Sequence, residues 1–86
     1  MTIDQFVQHL NNRFGLGDQF AYTVGKKYTR LYIRRGRLRS TYCFIDDAGN
    51  IYKPASWAAP AKGVRSTLDT VKIEEVDEYG SWLYRR

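Results

Sequence analysis

Between residues 28 and 46 the chain reads YTRLYIRRGRLRSTYCFID. Tyrosine and arginine alternate over Tyr28, Arg30, Tyr32 and Arg34, and basic side chains return at Arg37 and Arg39. Guanidinium forks match the oxygens of phosphate groups. Phenol rings offer flat faces on which unpaired bases stack, each stack contributing about 1–3 kcal/mol. Alternation at a period of two puts such residues on one side of a β-strand. The chemistry on offer is therefore anion and base recognition, carried by a single face.

Catalytic chemistry has weaker support. Ser40, Ser56, Ser66 and Ser81 lack a plausible His–Asp pair, because the one histidine, His9, falls in an N-terminal amphipathic stretch. Its place at the flank of the apolar stripe reads as a solvated side chain. Asp46 and Asp47 are neighbours, so strand alternation would separate them, and a turn accounts for them better than paired acid–base work. The DDAGN loop lacks the further ligands and closing glutamate of a calcium loop. Cys43 is the single cysteine, which excludes an internal disulfide and, with one histidine, a Cys/His zinc site. Mid-strand, with no helix N-terminus to lower its pKa, it reads as an inert thiol. Neither an enzymatic activity nor a cofactor is expected.

A hairpin must position the basic face. Gly36 is the conformationally free point of its reversal, and Tyr, Ile, Thr and Phe are strand formers. With Arg35 and Gly36 as the turn, Arg34 faces Arg37, Ile33 faces Leu38, Tyr32 faces Arg39 and Arg30 faces Thr41. One side then collects Leu31, Ile33, Leu38, Tyr42 and Phe44, a core face. The other collects Tyr28, Arg30, Tyr32, Arg34, Arg37 and Arg39. Like charges opposed across a sheet destabilise it by a few tenths to about 1 kcal/mol per pair. An anion over the face relieves that repulsion.

Upstream, Ile3, Phe6, Val7, Leu10 and Phe14 recur at helical spacing, so residues 2 to 14 are predicted as an amphipathic helix. Thr2 and Gln5 form a capping box, Asp4 suits the positive helix end, and Gly15 is placed to stop the helix in a left-handed turn. Residues 15 to 27, with Gly15, Gly17 and Gly25, read as a loop. After the hairpin, the Asp46-to-Asn50 turn returns into a third short strand, Ile51-Tyr52-Lys53, ended by Pro54. Residues 55 to 63 are small and bend-prone and are expected to lie over the sheet. Beyond Val64 the signals are mixed. Ser66 with Asp69 would cap a short helix, residues 70 to 76 alternate weakly like a strand, and residues 81 to 84 are strand-like or pack on the core.

The whole chain is consistent with this plan. Its 86 residues suit one domain, and no apolar run reaches the 18 or so residues of a membrane span. No signal peptide is expected from its opening residues. A hydrophobic share of 43% with 15% aromatic residues excludes a disordered chain. Fourteen Lys and Arg against nine Asp and Glu give +5, and the signs are segregated. Eight bases and one acid, Asp18, lie between Arg13 and Arg39; five acids and one base, Lys72, lie between Asp69 and Glu78. Such a layout favours polyanionic partners, although net charge also serves solubility.

Residues 42 to 65, YCFIDDAGNIYKPASWAAPAKGVR, carry a more specific pattern: Phe44, Ile45, Asp46 and Gly49, then Lys53, Ala55, Ser56 and Trp57, then Pro60, Ala61, Lys62 and Arg65. The segment resembles one found in small, uncharacterised proteins encoded by tailed bacteriophages. The resemblance covers about a quarter of the chain and implies phage origin, with action in the host cytoplasm or a place in the virion. It attaches no activity. Physically, Lys53, Trp57, Lys62 and Arg65 could extend the basic-aromatic surface, whereas an indole flanked by alanines usually buries most of its area.

The expected architecture is α+β: an N-terminal helix packed on a small antiparallel sheet of three or four strands. The expected role is a non-catalytic nucleic-acid-binding accessory protein. Tyr28 and Tyr32 would stack bases, Arg30, Arg34, Arg37 and Arg39 would hold phosphates, and Lys53, Lys62 and Arg65 would flank them. Single strands are preferred, and a duplex could take the ribbon in its major groove. A host or phage protein with an acidic surface is the alternative partner, since Arg and Tyr are favoured anchors there too; a membrane is not expected. Two structural readings also compete: arginine stems covering the rings, and the acidic segment 74 to 78 folded over the face.

Overall fold

A computed structural model of the chain describes residues 1–15, 19–77 and 80–84. Gly17, Asp18 and Glu78, each used in the sequence reading, lie outside the described residues. Helix α1 (Ile3–Phe14) is followed by β1 (Gln19–Val24), β2 (Tyr28–Arg35), β3 (Leu38–Asp46), β4 (Asn50–Tyr52) and β5 (Ser66–Thr67). The five strands form one antiparallel sheet in sequential order, at least one strand wider than expected. Short 3-10 turns at Ile73–Glu75 and Ser81–Tyr84 close the chain.

The helix starts as its sequence requires. The Thr2 hydroxyl accepts from the Gln5 backbone N–H at 3.1 Å, and the Gln5 side chain accepts from the Thr2 N–H at 2.9 Å. Its end differs from expectation: Gly15 has φ −76°, so the stop is right-handed. Glycine is needed there for closeness, because a Cβ would collide with the Asn11 carbonyl oxygen, which accepts the Gly15 N–H. Phe6, Val7 and Leu10 pack onto Phe20, Leu31, Ile33, Ile45 and Ile51 of the sheet. The C-terminal segment joins the same core through Val76 and Leu83.

Four readings are corrected by this fold. Residues 19 to 24 are a strand, not loop: Phe20 is buried beneath the helix, Tyr22 packs at the core margin, and Asn11 clamps the Phe20 backbone with two hydrogen bonds of 2.8 and 3.0 Å. The hairpin turns at Gly36 and Arg37, one residue later than predicted, with Gly36 at φ 59° in the left-handed region that glycine tolerates. Arg34 therefore faces Arg39, and Arg35 faces Leu38. Finally, residues 70 to 76 form no strand, and Ser66 begins β5 instead of capping a helix.

A bulge then resets the alternation. Tyr32 pairs with Thr41 but Leu31 pairs with Cys43, leaving Tyr42 as the extra residue. Tyr42 and Cys43 consequently both enter the helix-side core, and Phe44 falls on the opposite face. Leu38, assigned to the core, is 74% exposed at the hairpin tip.

Candidate functional site

The face of the sheet away from α1 carries Arg34, Tyr32, Arg30 and Tyr28 from β2 and Arg39, Thr41, Phe44 and Asp46 from β3, paired in register. Of the six hairpin side chains predicted to share this face, Arg37 departs, because it occupies the turn. The other five are together. Their surroundings, however, are set by residues far along the chain.

Residues 53 to 61 fold back over this face. Pro54 bridges Pro60, and the Ala61 N–H donates to the Lys53 carbonyl at 2.9 Å. At the loop's tip the Trp57 carbonyl accepts from Arg30 Nε at 2.8 Å and from Thr41 Oγ1 at 3.2 Å. The indole stands 5.8 Å from the Tyr32 ring at a tilt of 56°. The Arg30 guanidinium lies 4.6 Å from the indole centroid and that of Arg39 lies 6.0 Å away. Trp57 remains 41% exposed, so the core burial weighed for it does not occur. Tyr32 is the ring that is lost to solvent: at 6% exposure it sits under Trp57 and Arg39, and cannot receive a base as expected.

Toward the other end of the hairpin the rings pack on one another. Tyr28 meets Phe44 and Tyr52 edge-on at 6.2 and 5.5 Å, with Lys27 Nζ 5.6 Å above its ring. Arg30 also crosses Phe44 at 6.0 Å. Guanidinium groups thus cover part of this face, while Arg34, Arg37 and Arg39 are exposed residues. Two clefts flank the Trp57 loop. One, of about 330 Å³, is lined by Arg39, Ser40, Thr41 and residues 54 to 57; the other, of about 210 Å³, by residues that include Lys27, Tyr28, Arg30, Phe44 and Ala58.

The electrostatics of the patch show in Tyr32. A hydrogen bond from Arg34 draws its phenol below the ordinary value of 10.0, against the opposing effect of burial, and Arg39 adds to the pull. A site that favours a negative charge on a tyrosine favours one on a ligand by the same field.

Two of the three further residues assigned to the surface stand elsewhere. Lys53 points to the helix side, its ammonium 4.9 Å from the Tyr84 ring. Arg65 lines a cleft with Trp82 and Glu75, also on the helix side. Lys62 is exposed beyond the bridged loop. Glu74 and Glu75 do not shield the hairpin: their turn is joined to α1 by a hydrogen bond from Arg13 to the Ile73 carbonyl, and Asp77 accepts from Tyr42 on the core side. Sequence reasoning underrated Trp57 and missed Lys27 and Thr41. The signal for Trp57 was its place in a run of residues too small to bury it.

Among the described residues, no three His, Cys, Asp or Glu side chains gather as a metal site, and no helix is long and apolar enough to cross a membrane. Fold and surface together define a class: an α+β protein with a helix on one face of a five-stranded sheet and a cationic, indole-bearing patch on the other. The chain belongs to a family of unknown function, DUF7717, which matches residues 3–85. No curated protein and no solved structure matches it.

Proposed function

We propose that this is a small, non-catalytic, phage-encoded accessory protein that binds single-stranded nucleic acid in the host cytoplasm. The observation that carries the reading is the half-exposed Trp57 ring, bracketed by Arg30 and Arg39 at the junction of two clefts. A base stacks on the indole while its flanking phosphates meet Arg34 and Arg39 on one side and Lys27 on the other. Tyr28 contributes a ring edge and Tyr32 supports the indole from beneath. Open, shallow clefts accommodate a flexible strand more readily than a rigid duplex.

The test uses Arg34→Glu with Arg39→Glu, leaving Arg30 in place because it anchors the loop, and separately Trp57→Ala. Titration of a fluorescent single-stranded oligonucleotide should show at least about tenfold weaker binding for the charge reversal. Loss of one stacked base, about 1–3 kcal/mol, should weaken binding for Trp57→Ala by roughly five- to 150-fold. Wild-type affinity in both variants overturns the reading.

One observation favours a protein partner instead. Of β3, only Phe44 and Ile45 pair with β4, so among the described residues no strand pairs with the edge of β3 from Leu38 to Cys43. An added strand could dock there. A stoichiometric protein retained after nuclease treatment and a high-salt wash would favour this second reading.

A further inference from the structure

We propose that the helix-side cleft around Arg65 is a second binding site, independent of the hairpin face, for a phosphate group carrying a flat ring. The cleft, about 290 Å³, lies between the start of β5 and the segment that follows it. Arg65 Nε is buried and has no hydrogen-bond partner, alone in this respect among the side-chain atoms of the described residues. A guanidinium cannot discharge itself by losing a proton. A buried, charged donor without an acceptor is therefore a vacancy for an oxyanion more than a packing feature.

The surroundings agree in sign and shape. The Arg65 backbone is fixed, its N–H donating to the Ile51 carbonyl at 2.7 Å. Lys72 lines the same cleft, so two cations oppose the single carboxylate of Glu75. No hydrogen bond or ion pair joins the side chains of Arg65, Lys72 and Glu75 to one another. The Ser66 hydroxyl adds a donor, while that of Thr70 is already engaged with Thr67 at 2.7 Å. Donors arriving from two sides of a cleft suit a tetrahedral phosphate better than a flat carboxylate. The remaining wall is the Trp82 indole, held by its Nε1–H donating to the Tyr42 hydroxyl at 2.7 Å. An indole fixed in this way offers a surface to an aromatic ring. A nucleoside monophosphate has both parts.

Nuclear magnetic resonance of the full chain reads the site directly, because the Arg65 Nε–H and the two indole N–H groups give separate signals. Titration with AMP should move the Arg65 and Trp82 signals to saturation, whether or not the Trp57 signal also responds; adenosine should leave Arg65 and Trp82 in place. Inorganic phosphate should move Arg65 more weakly than AMP. Equal affinity for phosphate and AMP would support the oxyanion site but assign it to free phosphate. Arg65→Lys, which keeps the charge and removes the fork, should weaken AMP roughly tenfold or more. Glu75→Gln, at an exposed position, should tighten it about two- to fivefold by removing the opposing charge. The Arg34→Glu, Arg39→Glu protein should bind AMP normally, which separates this site from the hairpin reading. Shifts that fail to saturate, or that persist unchanged in Arg65→Lys, overturn the proposal.

Discussion

Asp46 shows how much one carboxylate can organise at a strand end. Its oxygens accept from the backbone N–H groups of Ala48 and Asn50, from Asn50 Nδ2 and from the Tyr52 hydroxyl, at 2.7 to 3.0 Å. Burial would raise its pKa, but the hydrogen bonds from Tyr52, Asn50 and Ala48 outweigh that and hold it below 3.8. A carboxyl depressed in the folded state stabilises fully above its unfolded value and loses that contribution as pH falls through the folded one. Asp46→Asn should therefore lower stability near neutrality, by under about 1 kcal/mol because solvent screens this partly exposed group. The gap from wild type should close as pH falls below the ordinary carboxylate range and through the depressed folded-state value, as read from urea midpoints. A gap constant with pH would mean that the ionised form is not what holds the turn. The sequence marked this residue as a turn former and rejected an acid–base pair with Asp47, both from residue type alone.

At the scale of elements, the bulge in β3 has the widest effect. By turning Tyr42 inward it lets one hydroxyl serve two distant groups, donating to the Asp77 carbonyl at 2.6 Å and accepting from Trp82. Burial drives this phenol's pKa upward, so it stays neutral and able to donate. Tyr42→Phe takes the acceptor from the Trp82 Nε1–H and the shorter of its hydrogen bonds from the Asp77 carbonyl, which keeps the Gly80 N–H at 3.4 Å, and should cost about 1–3 kcal/mol. Hydrogen exchange should speed up in the segment after Thr70 more than in β2; uniform acceleration would deny Tyr42 this tethering role. The bulge also explains what sequence reading could not reach. The capping box at Thr2 and Gln5 was legible because it is local, and so was the glycine that bends the hairpin. Register was not, since an extra residue mid-strand leaves no mark on composition and moves Phe44 to the opposite face. β1 was hidden by its flanking glycines, and β5 is only two residues held in place by β4.

For the molecule as a whole, charge is distributed by face as well as along the chain. Arg34 and Arg39 stand on the open side of the sheet with the Arg37 turn beside them, whereas the Glu74 and Glu75 turn is tied to α1. A polyanion can therefore approach the first without crossing the second. If Arg34, Arg39 and Lys27 each neutralise one phosphate, the logarithm of affinity for a single strand should fall against the logarithm of salt with a slope of about −2. Oligonucleotide titrations between 50 and 300 mM salt measure it. A slope near zero would show that the cations on this side play no part in holding the strand.

The attachment of the 53–61 loop has a practical corollary for anyone redesigning it. Arg30 and Thr41 grip Trp57 by its main-chain oxygen, an atom every amino acid supplies. The aromatic group can thus be exchanged for another without unfastening the strap, so position 57 is a socket whose side chain can be rewritten while the scaffold is left as it stands.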